Sequence, residues 1–333
     1  MRNKLWGLFV LCAVFFTACD DDDDNGNGAT YSGDNLSLTV AGMQLDGREA
    51  TLDGSTLTVK QAMPGESETA FQVENSGSQL SGTNSNENRD VNLTGTIDGS
   101  KLNLTLTMDV KHKLAAQWDV EGLIFDIETS QETVQIGESE IPVEEFITKV
   151  QSIGIALPLI MPYLNLQQNG NVTAYYAANL LDIIQNVDFS DLSGILGILG
   201  QLSYATSPEG MAIYNVIRQE IYLTLDLVGI INDATASTPS TQATQHSRAE
   251  SNILDSFSNG IPLLWRDNST TGGVDVYVTR EMMLPVVQAL PGLFAILANQ
   301  YESLASLTPT VTAICSLIEN SESCELGLQL TPH

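Results

Sequence analysis

The chain is poor in the residues on which metal, acyl-transfer and nucleic-acid chemistry are usually built. Its three histidines, His112, His246 and His333, lie far apart, and none has a Cys, His or carboxylate pair at zinc-ligand spacing. A Ser-His-Asp triad needs a buried, oriented imidazole. His112, flanked by Lys111 and Lys113, is expected to be solvated, His246 sits in a Ser/Thr-rich stretch and His333 ends the chain. Basic residues are also scarce. Against 41 Asp and Glu stand 13 Lys and Arg, a formal charge of −28, so there is no cationic footprint to release counterions from nucleic acid. Gly194, Gly197 and Gly200 recur at a three-residue step, which is not the dinucleotide fingerprint and suits close helix packing instead. Carboxylate pairs such as Asp188 with Asp191 are expected by chance in so acidic a chain. These shortages predict no metal, no cofactor and no enzymatic activity.

The N-terminus, by contrast, is highly patterned. Arg2 and Lys4 precede an apolar run from Leu5 to Phe16, then the small pair Thr17-Ala18 and Cys19. That run falls short of the roughly 20 residues a spanning helix needs, so residues 1–18 are predicted to be a cleaved signal peptide. Phe16-Thr17-Ala18-Cys19 resembles a lipobox, which implies acylation of Cys19 and a stable membrane anchor. Asp20 to Asp24 and Asn25-Gly26-Asn27-Gly28 bury little and repel one another. Residues 19–30 should therefore form a solvated tether reaching at most ~40 Å. An acidic cluster beside the lipidated cysteine resembles the surface-export signal of Bacteroidota lipoproteins, implying an outer-membrane protein exposed at the cell surface. The body's acidity would repel anionic headgroups, so the expected membrane link is the lipid itself.

Cys12 leaves with the signal peptide and Cys19 carries lipid, which leaves Cys315 and Cys324. In an oxidising envelope these two are expected to pair as a disulfide, worth roughly 3 kcal/mol by loop closure.

From Tyr31 to about Asp126 polar and apolar residues alternate, as in Leu102-Asn103-Leu104-Thr105-Leu106, and period two predicts half-buried strands. Asp46-Gly47, Asp53-Gly54 and Asp98-Gly99 suit tight hairpin turns, while Asn84 to Asp90 reads as a longer loop. Residues 31–130 are thus predicted to be an antiparallel β meander closing into a barrel or folding into a sandwich. Beyond Glu128 to Glu140 the pattern changes to a predicted α+β domain over 131–333. Helices with apolar faces are expected from Ile141-Pro142 to Leu164 with kinks at Pro158 and Pro162, at 179–187, 191–199 and 280–303, and after Thr308-Pro309. Strands are expected around an Asn169-Gly170 hairpin and at 211–216, 221–227, 261–265, 274–278 and 326–330. Residues 235–251, rich in Ser, Thr and Gln, read as a mobile loop.

Tyr31-Ser32-Gly33, Leu36 to Val40, Gly65-Glu66 and Gly99-Ser100-Lys101-Leu102 resemble the calycin-like domain of uncharacterised Bacteroidota lipoproteins. Asn169-Gly170-Asn171-Val172-Thr173-Ala174-Tyr175 and Val276-Tyr277-Val278 are similar to the second half of a domain-of-unknown-function family. The resemblance implies a barrel-like first domain and supplies no catalytic residue.

Two binding surfaces suggest themselves. Met282 to Asn299 carries no charge. With Leu157, Ile160 and Leu196, its residues Met283, Val287, Leu290, Phe294 and Leu297 are predicted to wall an apolar pocket for a lipid or other hydrophobic small molecule, the competing reading being plain core. The alternative is a surface interaction protein assisting glycan capture or complex assembly, with Trp118, Trp265, Tyr175, Tyr176 and Tyr277 as candidate stacking residues. An aromatic content of 6% gives that no compositional support.

Overall fold

The computed structural model describes residues 28–179, 201–226, 260–300 and 308–333, and the side chains of Ile153, Ala289 and 292–300 lie outside the described set. The expected signal peptide, Cys19, most of the tether, Leu196, the 235–251 loop and nearly all of the helices at 179–187 and 191–199 fall outside the described residues, as do the side chains of Phe294 and Leu297.

The described residues open with ten strands: β1 (Ala29–Ser32), β2 (Leu36–Val40), β3 (Met43–Gln44), β4 (Glu49–Asp53), β5 (Thr56–Lys60), β6 (Glu68–Ser76), β7 (Gln79–Ser85), β8 (Arg89–Asp98), β9 (Lys101–Val110) and β10 (Gln117–Glu128). The first nine form one sheet in the order β1-β4-β5-β6-β7-β8-β9-β2-β3. Its pairings are antiparallel except β2 with β9, which run parallel from Leu36↔Leu102 to Val40↔Leu106. β1 and β2 lie toward opposite edges, yet only Gly33–Asn35 separates them. A link that short spans about 14 Å at most, so the sheet must curl to bring its edges together. The result is a half-barrel whose inner face carries Leu38, Leu57, Phe71, Leu93 and Leu106, all at most 1% exposed, and whose outer face carries threonines and serines.

A small hairpin follows, β11 (Thr133–Ile136) with β12 (Ser139–Pro142), then helix α1 (Val143–Ile155) and the single turn α2 (Leu157–Ile160). The remaining strands are β13 (Tyr163–Leu166), β14 (Val172–Ala177), β15 (Tyr204–Thr206), β16 (Ala212–Ile217), β17 (Glu220–Leu225), β18 (Ile261–Asn268), β19 (Gly273–Thr279) and β20 (Ser323–Pro332). Helices α3 (Arg280–Gln300) and α4 (Thr308–Glu319) lie between the last two. With β10 these strands build a second, wholly antiparallel sheet, β15-β14-β13-β10-β20-β19-β18-β17-β16. It curls too: Asn171, at the start of β14, bridges Ile213 of β16 at the far edge.

This corrects the expected fold class. The described residues are mainly β, 55% strand against 18% helix, and the region read as α+β with several apolar helices joins β10 in a nine-stranded sheet, with three helices longer than one turn among the described residues. Most strands of this sheet were foreseen individually, though not β15 or the separate β11–β12 hairpin. Their union was not, because hairpins such as β13–β14 are joined by pairings across long stretches of chain, as of Trp118 with Pro332.

One bulge organises the centre. Trp118 and Val120 share a face of β10 with Leu123, Phe125 and Ile127, because an extra residue between Val120 and Gly122 shifts the parity, while β20 runs unbroken through Leu330, Leu328, Leu326 and Cys324 opposite. At one end this face meets the first sheet in a shared core containing Trp118, Val120, Val274 and Leu330. At the other it meets the helices, where Phe125 and Cys324 pack with Phe146 of α1, Met283 and Val287 of α3 and Leu317 of α4. No helix among the described residues is long and apolar enough to cross a membrane.

Candidate functional site

Of the residues expected to wall an apolar pocket, those whose side chains are described divide between different places, and Leu196, Phe294 and Leu297 lie outside the described set. Leu157 packs against the core between the sheets, whereas Met283 and Val287, each 6% exposed, are buried in the helical core with Leu290 against them. Ile160 is half-buried in α2. Two open depressions occur among the described residues. One, of about 460 Å³, runs over the polar face of β6 to β9 between Glu74, Gln79, Thr94 and Asn103, and the other, of about 370 Å³, is lined by Ala115, Ala116 and residues 165–169. The first is lined about equally by polar and apolar atoms, and polar groups predominate only in the second.

Cys315 and Cys324 both enter the helical core, as free thiols. The expected disulfide is corrected accordingly: each thiol is a small apolar filler, 4% and 2% exposed, and the Cys324 ionisation is pushed up to about 11 by burial and then by Asp126 and Glu325. Burial and Glu319 raise Cys315 as well.

The aromatic candidates scatter. Trp118 is buried and its indole donates to Leu114 O at 3.0 Å. Trp265 packs on the inter-sheet core, with His112 edge-on at 5.3 Å and Lys113 Nζ 4.7 Å above the ring. His112 is therefore half-buried rather than solvated, and burial followed by Lys113 lowers its pKa. Tyr277 lies under Arg266 at 4.4 Å, and that guanidinium is shared by Asp275 and Glu325. Tyr176 is partly buried in β14, one residue out of register with Tyr175.

Tyr175 is different. It stacks on its cross-strand partner Tyr163 at 4.9 Å and on Tyr204 at 5.2 Å, so three tyrosines form a ladder across β13, β14 and β15. His333 lies 5.4 Å beyond Tyr163, with its Nδ1 2.5 Å from the Asp119 carboxylate. At the other end the Tyr204 hydroxyl donates to Leu159 O of α2 at 2.7 Å. The exposed large hydrophobic residues among those described are Ile155, Leu159 and Tyr204, at 77%, 43% and 37% exposure. Ile155 and Leu159 lie at the α1–α2 junction, to which Tyr204 is tied by its bond to the Leu159 carbonyl. Sequence reasoning found Tyr175 but not Tyr163 or Tyr204, because strand pairing rather than spacing brings them together.

Two polar hubs, also unforeseen, lock the sheets to each other. Arg89, 1% exposed on β8, donates to Glu66 at 2.5 Å and to Asn84 Oδ1 at 3.1 Å, while Asn215 of β16 donates to Glu66 at 3.2 Å and to Pro64 O at 3.0 Å. Asn171 donates to Ala41 O at 2.9 Å and accepts from Gly210 N at 2.7 Å. Arg89 Nε and Asn215 Oδ1 stay buried without a hydrogen-bond partner, so the first hub is incompletely satisfied.

Comparison with known proteins finds no matching family model, no matching curated protein and no matching solved structure.

Proposed function

We propose that the protein is a lipid-anchored, cell-surface envelope protein that acts by non-covalent binding through its outer face, with no enzymatic step and no enclosed small apolar ligand. The anchor rests on Arg2, Lys4, the Leu5 to Phe16 run and Cys19, and surface export rests on Asp20 to Asp24. A calycin-like relationship for the first half-barrel belongs to the same proposal, supported by its curl and by the motifs around Tyr31 and Gly99. One observation carries the surface reading. Leu157 is taken into one core and Met283, Val287 and Leu290 into another, whereas Tyr204, Leu159 and Ile155 are exposed. Large apolar side chains grouped on a folded surface are candidates for a contact site.

Native mass spectrometry of the mature chain, before and after mild organic extraction, tests this reading. The expected spectrum shows the polypeptide with its anchor and no further mass. A removable component of a few hundred daltons that returns when fatty acid is added would overturn it in favour of a carrier.

A further inference from the structure

We propose that the Tyr204 end of the tyrosine ladder docks a protein segment carrying arginine or lysine beside an apolar side chain. The inference rests on the surface-binding reading and adds the chemistry of the partner.

The geometry of the ladder selects the contact. Rings stacked at 4.9 and 5.2 Å spend their faces on one another, so Tyr175 offers an incoming sugar or side chain only its edge. Tyr163 is flanked on its other side by His333. Tyr204 stands on β15, the terminal strand of the sheet, and no further ring stacks on it among the described residues. A single π-face at the end of a stack attracts a cation, worth roughly 0.5–1 kcal/mol when exposed and more when desolvated. The Tyr204 hydroxyl reaches the Leu159 carbonyl, and the exposed Leu159 side chain, with Ile155 four residues before it, supplies apolar surface to desolvate such a contact.

Charge selects the partner. β13, β14 and β15 contain no charged residue, β10 on the far side of the ladder from Tyr204 carries Asp119, Glu121, Asp126 and Glu128, and α1, which ends at Ile155, carries Glu144 and Glu145 against Lys149. Against a chain of formal charge −28, a second copy or an anionic headgroup would be repelled, while a cationic segment would be steered in. The ring stacking and the Tyr204 bond to Leu159 hold the tyrosines in place before contact, which reduces the entropy cost of binding.

Fluorescence anisotropy of the detergent-solubilised mature chain tests the assignment, using a short labelled peptide of alternating arginine and leucine and a glutamate-leucine control. Tyr204→Ala and Leu159→Ser should each weaken the arginine peptide by about tenfold, as hot-spot residues do. Tyr204→Phe, which keeps the ring and loses only the bond to Leu159, should stay within about twofold, as should Thr94→Ala on the first sheet. Equal binding by all variants would show diffuse attraction to an acidic chain and overturn the site. So would absence of binding, equal binding of the glutamate peptide, or a Tyr204-dependent preference for an oligosaccharide in the same assay. These results would sink the site alone, whereas a removable ligand in the mass experiment would sink the reading beneath it.

Discussion

Arg89 reaches Glu66 at 2.5 Å from inside the protein, where it is 1% exposed, and the same carboxylate accepts a hydrogen bond from Asn215 of the other sheet. A charge pair so placed is a fastener between layers, and its energetics are asymmetric. Removing one partner strands a desolvated charge, whereas removing both need not cost much.

The first prediction follows from that asymmetry. Glu66→Gln leaves Arg89 buried without its counter-charge and should lower the unfolding free energy by about 3–5 kcal/mol in urea titration. The double variant Glu66→Leu/Arg89→Met should cost less than the sum of the single changes. Arg89 Nε already lacks a hydrogen-bond partner, so the native pair is itself incompletely compensated. Strict additivity would mean that the two residues do not act as a pair.

His112 offers a pH test. Burial against Trp265, and secondarily Lys113, holds its folded pKa below the ordinary 6.5. The neutral ring is therefore favoured in the fold, and its stabilising contribution is complete above the unfolded pKa and lost as pH falls through the folded one. Imidazole NMR should give a His112 midpoint below 6.5, rising toward that value in Trp265→Ala and by a smaller amount in Lys113→Met. A midpoint above 6.5 would contradict the packing.

The thiols test the helical core. With Cys324 pushed up to about 11, roughly one molecule in a thousand carries its thiolate at pH 8, and burial blocks the reagent besides. Ellman's reagent should label Cys315 and Cys324 only as fast as the chain opens, and both promptly in denaturant. Rapid labelling of the native chain would show that α4 does not cover them.

Much of the strand content was readable because alternation is local. The bulge in β10 is readable as well, in the switch from Trp118 and Val120 to Leu123, Phe125 and Ile127. What no local pattern encodes is partner choice. β10 pairs with β20 some two hundred residues away, and this single pairing turns an expected α+β region into a sheet that shares a core with the first. The candidate site was hidden for the same reason, since Tyr163, Tyr175 and Tyr204 come from three strands. Arg89 was hidden for another: Asn84 to Asp90 looked like a solvated loop, but β7 and β8 run on to Ser85 and from Arg89, and the guanidinium turns inward to a carboxylate from another turn. Helices drew too much weight because apolar runs such as Met282 to Val287 stand out in sequence, though they only cap one end of the second sheet.

Gly65 supplies the last test, since it belongs to the turn that carries Glu66 across to the second sheet. Its φ is +80°, and a Cβ there would lie 2.3 to 2.8 Å from ring atoms of Tyr222 on β17. The ring has little freedom to move aside, because its hydroxyl donates to Glu220 at 2.5 Å, a bond that with burial pushes the phenol up to about 12. Gly65→Ala should therefore cost about 2–4 kcal/mol, the sum of left-handed strain and overpacking. Tyr222→Ala in that background removes the clash and leaves the strain, so the double variant should be more stable than the two single effects predict. If a urea cycle returned simple additivity, the contact between this turn and Tyr222 would not be what joins the layers here, and Arg89 with Asn215 would have to hold Glu66 without it.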